Sequence, residues 1–192
     1  DMNEPLCNLC DEECEIWTPE LRRKLKQCYY PNLLKRITSK IISEKGIETS
    51  FYEQIYKKVN QPILIDSSKN AGWIYRNGKQ LHKSKKFEPI LLHLSRDGRA
   101  VVNSYYRKYP ETGIENIAHN WNNRIEKINK CFSDWDFAKK IHIKYENLAK
   151  KPVETVQETL GFLDIDYQPQ MMRFWEHQHH LVNGNAGTKS MI

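Results

Sequence analysis

Apolar residues along this chain recur at two different spacings, and the switches between them mark the elements. From Pro19 to Val59 the spacing is helical. Leu21, Leu25 and Cys28 fall on one face, Thr18 is placed to cap them, and Pro19 suits a first helical position. Gly46 interrupts the pattern, and Ser50 or Thr49 can cap a further helix carrying Phe51, Ile55 and Val59. Three short apolar runs have strand length instead: Pro62 to Ile65, Ile90 to Leu94 and Ile141 to Tyr145. Helical spacing returns between and after them, over 71–77, 99–108 and 114–132, the last with Ile117, Trp121, Ile125 and Ile128 on one face. Pro152 opens a final helix expected to turn Val153, Val156, Leu160 and Leu163 inward. Strands alternating with helices predict an α/β fold with a parallel sheet flanked by helices.

Composition narrows the picture without changing it. The 192 residues are enough for one domain with its own core, so 1–192 is read as a single domain. At 39% hydrophobic the chain is not of the disordered class. The formal charge of +6 suits an anionic ligand, but the cations are too few and too evenly spread to demand nucleic acid. No stretch has the apolar length of a membrane span and no signal peptide opens the chain. The reading is therefore a cytoplasmic protein, or a Golgi-lumen one if an anchor precedes Asp1.

The candidate chemistry lies at the strand ends, where parallel sheets bind ligands. The first strand runs into Asp66, Ser67, Ser68 and Lys69, the second into Ser95, Arg96 and Arg99, and the third into Tyr145 and Glu146. A helix starting at Arg99, just past this turn, would add backbone N–H groups and the positive end of its dipole, an arrangement suited to phosphate. Arg96 adds a planar cation, and Ser104 a hydroxyl on that helix. Bland readings stand beside these. Asp66 could cap the next helix, Lys69 could be an exposed strand-end lysine, and Tyr145 could pack under the helix that follows it. Arg99 could pair with Asp97 or Glu146. His180 is one of three histidines in a polar tail, with His177 and His179.

Several of these segments together resemble the sulfotransferases that use 3′-phosphoadenosine 5′-phosphosulfate (PAPS). LSRDGRAVVNSYYRK is similar to the family's 3′-phosphate motif, in which an Arg ends a strand and a Ser eight residues on touches the same phosphate; Arg96 and Ser104 match, and Lys108 suits the cation one turn later. ILIDSSKN, YENLAKKPVETVQETLGFLDI and HLVNGN resemble further elements of the carbohydrate and bacterial branch, in the expected order. The resemblance implies the sulfotransferase version of a P-loop NTPase-like fold and PAPS as co-substrate, with no metal required. It implies Arg96, Ser104, Lys108 and Tyr145 at the nucleotide and Lys69 at the leaving oxygen. Asp66 or His180 is the candidate base. The acceptor would be a carbohydrate or small metabolite bearing a hydroxyl or amine. Oligomeric state is not legible.

The family's Gly-rich P-loop and the strand before it have no counterpart here, so the chain is read as an N-terminally truncated portion of a sulfotransferase domain. A small-molecule kinase would keep that loop and show Mg²⁺ ligands. A basic module for nucleic acid or acidic glycans would draw on the stretch from Lys79 to Lys86. Cys7, Cys10 and Cys14, spaced C-x₂-C-x₃-C with Cys28 as a distant fourth, raise a zinc reading. The lack of a closely spaced second ligand pair favours reduced buried thiols or a local disulfide.

Overall fold

The computed structural model describes residues 7, 9, 10, 13–29, 47–67 and 69–180, apart from the side chains of 26–29 and 47–50. Gly46, Ser68 and the LVNGN part of the last motif lie outside these residues. The chain divides into two compact units, Asp1–Ser67 with Pro169–Ile192, and Ser68–Gln168.

In the first unit, α1 spans Pro19–Tyr29 and α2 spans Ile47–Val59. Thr18 caps α1, its Oγ1 accepting the Leu21 N–H at 3.2 Å. Helix α2 begins ahead of the expected Thr49 or Ser50, and Asn60, at φ 47°, turns the chain out of it. Cys7, Cys14 and Leu21 are buried. The strand expected over Pro62 to Ile65 does not form: the segment is irregular, with Ile63 51% and Ile65 90% exposed. A strand needs a neighbour for its backbone N–H and C=O groups, and among the described residues this segment has no ladder partner.

The second unit carries α3 (Ala71–Ser84), β1 (Leu91–Ser95), α4 (Gly98–Lys108), α5 (Ile114–Ser133), β2 (Lys140–Lys144), α6 (Tyr145–Lys150) and α7 (Pro152–Phe162). Strands β1 and β2 pair in parallel, from Leu91 opposite Lys140 to Ser95 opposite Lys144. A parallel pair requires a long crossover, and α4 and α5 supply it. Tyr145, expected at the end of the strand, instead opens α6.

Helix α3 runs seven residues beyond the expected Asn77. Its continuation passes through Gly78, where the six-membered ring of Trp135 lies so close that a Cβ would sit 1.9 Å from Cη2. The glycine is thus a packing site rather than a helix end. Trp135, at 3% exposure, is buried together with Asn77, Leu81, Ile117 and Cys131. The stretch from Lys79 to Lys86 is mostly the exposed face of this helix. On α7 and its C-cap, Val156, Leu160 and Leu163 are half-buried as expected, whereas Val153 is 40% exposed and Thr155 is buried.

Candidate functional site

Strand β1 alternates on its two faces. Leu92 and Leu94 are exposed, whereas His93 and Ser95 face α5. The parallel register continues past the last ladder pair. Arg96 and Tyr145 follow Ser95 and Lys144, and the Arg96 guanidinium lies over the Tyr145 ring, 4.6 Å from its centroid. One position further, the Asp97 N–H donates to Glu146 Oε1 at 2.8 Å. That N–H, with the N–H of Glu146 itself, lowers the Glu146 pKa. The second and third predicted strand ends are therefore joined residue by residue, and an exposed cation is held on an aromatic face at the junction.

Asp97 caps α4. Its Oδ1 accepts the Arg99 N–H at 2.9 Å, and its Oδ2 accepts from the Arg99 guanidinium at 2.6 Å. The Arg99 side chain and then its backbone N–H bring the Asp97 pKa from 3.8 down to about 2. Arg99 thus pairs with Asp97. The first-turn N–H of Arg99, expected to face a phosphate, is satisfied by this carboxylate, and the cation presented at the strand end is Arg96. Ser104 is exposed on α4, and Lys108, in its last turn, has its ammonium 5.2 Å from the centre of the Tyr109 ring. Lys69 is exposed just before Asn70, whose Oδ1 accepts the Trp73 N–H at 3.0 Å and caps α3.

A cleft of about 330 Å³ runs from Arg96 along the inner face of β1, lined by His93, Ser95, His142, Trp121 and Phe132 among others. Ser95 Oγ and His142 Nε2 are 2.7 Å apart, and the His93 and His142 rings are 5.0 Å apart. Burial, and then the His142 charge, lowers the His93 pKa. Gly98 closes one end against Trp121, where a Cβ would sit 2.4 Å from Cη2. The strand-end reading did not select His93 and His142. Their signal was the strand's period of two, which places His93 and Ser95 on one face.

Two expected site residues belong to the first unit. Asp66 does not cap the next helix, a role taken by Asn70; its Oδ2 accepts the Tyr52 hydroxyl at 2.6 Å. His180, the other candidate base, sits among three cysteines. Its Nδ1 lies 3.7, 3.3 and 3.5 Å from the sulfurs of Cys7, Cys10 and Cys14. Burial disfavours the Cys7 thiolate, but the backbone N–H groups of Leu9 and Cys10 and the His180 contact outweigh it and bring the pKa down to about 7.

No family model matches the chain. Over 115 residues, 56% of its length, it is 32% identical to a Caenorhabditis briggsae protein named "Putative protein-tyrosine sulfotransferase". That match spans 38% of the relative, so the chain corresponds to well under half of it. Among solved structures it is similar to the "Sulfotransferase Domain from the Curacin Biosynthetic Pathway", with a TM-score of 0.58 and 16% identity, over 88% of this chain and 62% of that one. The mixture of helices and parallel strands together with this likeness is an α/β sulfotransferase fold. Among the described residues no helix is long and apolar enough to cross a membrane.

Proposed function

We propose that this chain, for which the curated relative and the structural neighbour support a sulfotransferase family, moves a sulfuryl group from PAPS to a hydroxyl or amine acceptor. The observation that carries the reading is the seat of Arg96 on Tyr145, at the paired ends of β1 and β2. There the arginine that the sequence matches to the 3′-phosphate motif is oriented by a ring rather than spent on a carboxylate. Asp97 bonds to Arg99 and Glu146 to the Asp97 N–H, and Arg96 acts on Glu146 through its charge, behind those backbone bonds.

In this reading Arg96, Ser104 and Lys108 hold the 3′-phosphate and Tyr145 keeps the guanidinium flat beside the nucleotide. Charge-assisted hydrogen bonds of this kind contribute about 1.5–3 kcal/mol each, enough to separate PAPS from adenylates lacking that phosphate. The chemistry is an in-line displacement governed by positioning and charge neutralisation. An acceptor oxygen or nitrogen attacks sulfur as the bond from sulfur to the bridging oxygen of the phosphosulfate breaks. The acceptor gives up its proton to solvent, and 3′,5′-diphosphoadenosine leaves with the new charge on its 5′-phosphate. Lys69 is the cation proposed for that oxygen. The acceptor we favour is a carbohydrate or small polar metabolite. The name of the Caenorhabditis briggsae relative adds a tyrosyl hydroxyl to those that must be tried.

The test uses the full-length protein. Calorimetric titration should show saturable binding of 3′,5′-diphosphoadenosine and much weaker binding of 5′-AMP. Label from the sulfuryl group of PAPS should pass to one of three offered acceptor classes: glycans, small hydroxylated or amino metabolites, or tyrosyl peptides. Equal affinity for the two nucleotides would overturn the reading.

A further inference from the structure

We propose that Cys7, Cys10, Cys14 and His180 form a closed structural Zn²⁺ site that fastens the start of the first unit to its end. This inference is independent of the sulfuryl-transfer reading.

The four ligand atoms all lie within 4.8 Å of one another. A tetrahedral zinc with bonds of about 2.3 Å to sulfur and about 2.0–2.1 Å to nitrogen puts each sulfur about 3.5 Å from the nitrogen. The distances from His180 Nδ1 to the three sulfurs are 3.7, 3.3 and 3.5 Å. These three nitrogen-to-sulfur edges match that tetrahedron, and the sulfurs lie within 4.8 Å of one another. A disulfide would instead draw two sulfurs to about 2.05 Å and set the third aside. Neutral thiols packed only as small hydrophobes would have no reason to converge on one polar nitrogen.

The surroundings suit a metal held for structure. Cys7 and Cys14 are each 1% exposed. Three thiolates and one neutral imidazole would leave the site with a net charge of −1, and outer-shell donors should stabilise it. The Trp17 backbone N–H does so, pointing to Cys14 Sγ at 3.4 Å, while its indole N–H donates to the His180 carbonyl at 2.7 Å and fixes the backbone that carries the imidazole. A tight turn, with the Glu13 N–H donating to the Cys10 carbonyl at 3.0 Å, folds the three cysteines together. The fourth ligand arrives from 166 to 173 positions away. Soft thiolates select zinc over the hard cations, and four protein ligands leave no position for water, so the site would be structural and not catalytic.

The experiment is elemental analysis of untagged full-length protein, paired with thiol mapping. One zinc per chain should survive gel filtration. A strong chelator should remove it, lower the melting temperature, and make Cys7, Cys10 and Cys14 alkylate at least tenfold faster, while buried Cys131 keeps its rate. Cobalt-exchanged protein should show the visible absorption of tetrahedral thiolate-bound Co²⁺. His180→Cys should keep the metal and His180→Ala should lose it. If His180→Ala does not fold, the wild-type stoichiometry and alkylation rates decide. Zinc-free or iron-containing folded protein would overturn the proposal, as would a native disulfide among the three cysteines or alkylation rates indifferent to the chelator.

Discussion

The Asp97 N–H and the Glu146 carboxylate meet at 2.8 Å, two positions past the last ladder pair of β1 and β2. A side chain has taken over where the backbone ladder stops. It pins the turn that carries Arg96 to the start of α6, which carries Tyr145. The geometry of the proposed phosphate site thus rests on a contact that itself touches no ligand.

Removing the cation should separate binding from folding. Arg96→Ala is expected to weaken 3′,5′-diphosphoadenosine affinity by about ten- to a hundredfold, the worth of one charge-assisted hydrogen bond. The melting temperature should stay unchanged, because the guanidinium is exposed. Arg96→Lys should recover only part of the loss, since an ammonium lacks the planar stack on Tyr145. Titration calorimetry beside a thermal melt checks both, and full affinity in Arg96→Ala would refute the assignment.

Glu146→Ala should lower both the melting temperature and the nucleotide affinity, by leaving the Asp97 N–H without its acceptor. Glu146→Gln, which keeps an acceptor oxygen, should stay close to wild type. The acid limb has a definite sign. The Glu146 pKa is lowered from 4.5 by the Asp97 N–H, and that of Asp97 from 3.8 to about 2 by Arg99. Both contribute stability above their unfolded values that is lost as pH falls through the lower folded ones. Melts from about pH 6 to about pH 2 should therefore decline less steeply in Asp97→Asn than in wild type.

Gly78→Ala should destabilise the second unit by about 1–3 kcal/mol, as overpacking does in a filled core. The added methyl would fall 1.9 Å from the Trp135 ring, which is buried and cannot swing away. Trp135→Phe removes the ring atoms that clash, so the double variant should lose less than the two single losses combined. A double-mutant cycle in denaturant measures the difference.

His93 sets a second pH dependence, near neutrality. Its pKa is lowered from 6.5 by burial and then by His142. The unfolded chain therefore takes up the proton first, and stability present above about pH 6.5 is lost as pH falls towards the folded value. His93→Phe should flatten the melting temperature across that range; an unchanged slope would show that the imidazole is not the group responsible.

Most elements were legible from local pattern because they depend on it. The period of Ile117, Trp121, Ile125 and Ile128 predicts α5, and the short apolar runs predict β1 and β2 to within a residue. A glycine inside a helical pattern reads as a stop, but Gly78 accommodates Trp135, a partner more than fifty residues away that no local spacing announces. The run from Pro62 to Ile65 has the composition of a strand, yet composition cannot supply a neighbouring strand.

By itself the sequence determined the order of the helices, the two strands and the candidate ligand-binding residues at their ends, since each follows from spacing within about twenty positions. Only the tertiary structure decided how those residues are paired. It set Arg96 on Tyr145 and gave the Asp97 N–H to Glu146. It also drew His180 out of a polar tail to the three cysteines. Such pairings join residues distant along the chain, and packing and strand register, not local propensity, select among them.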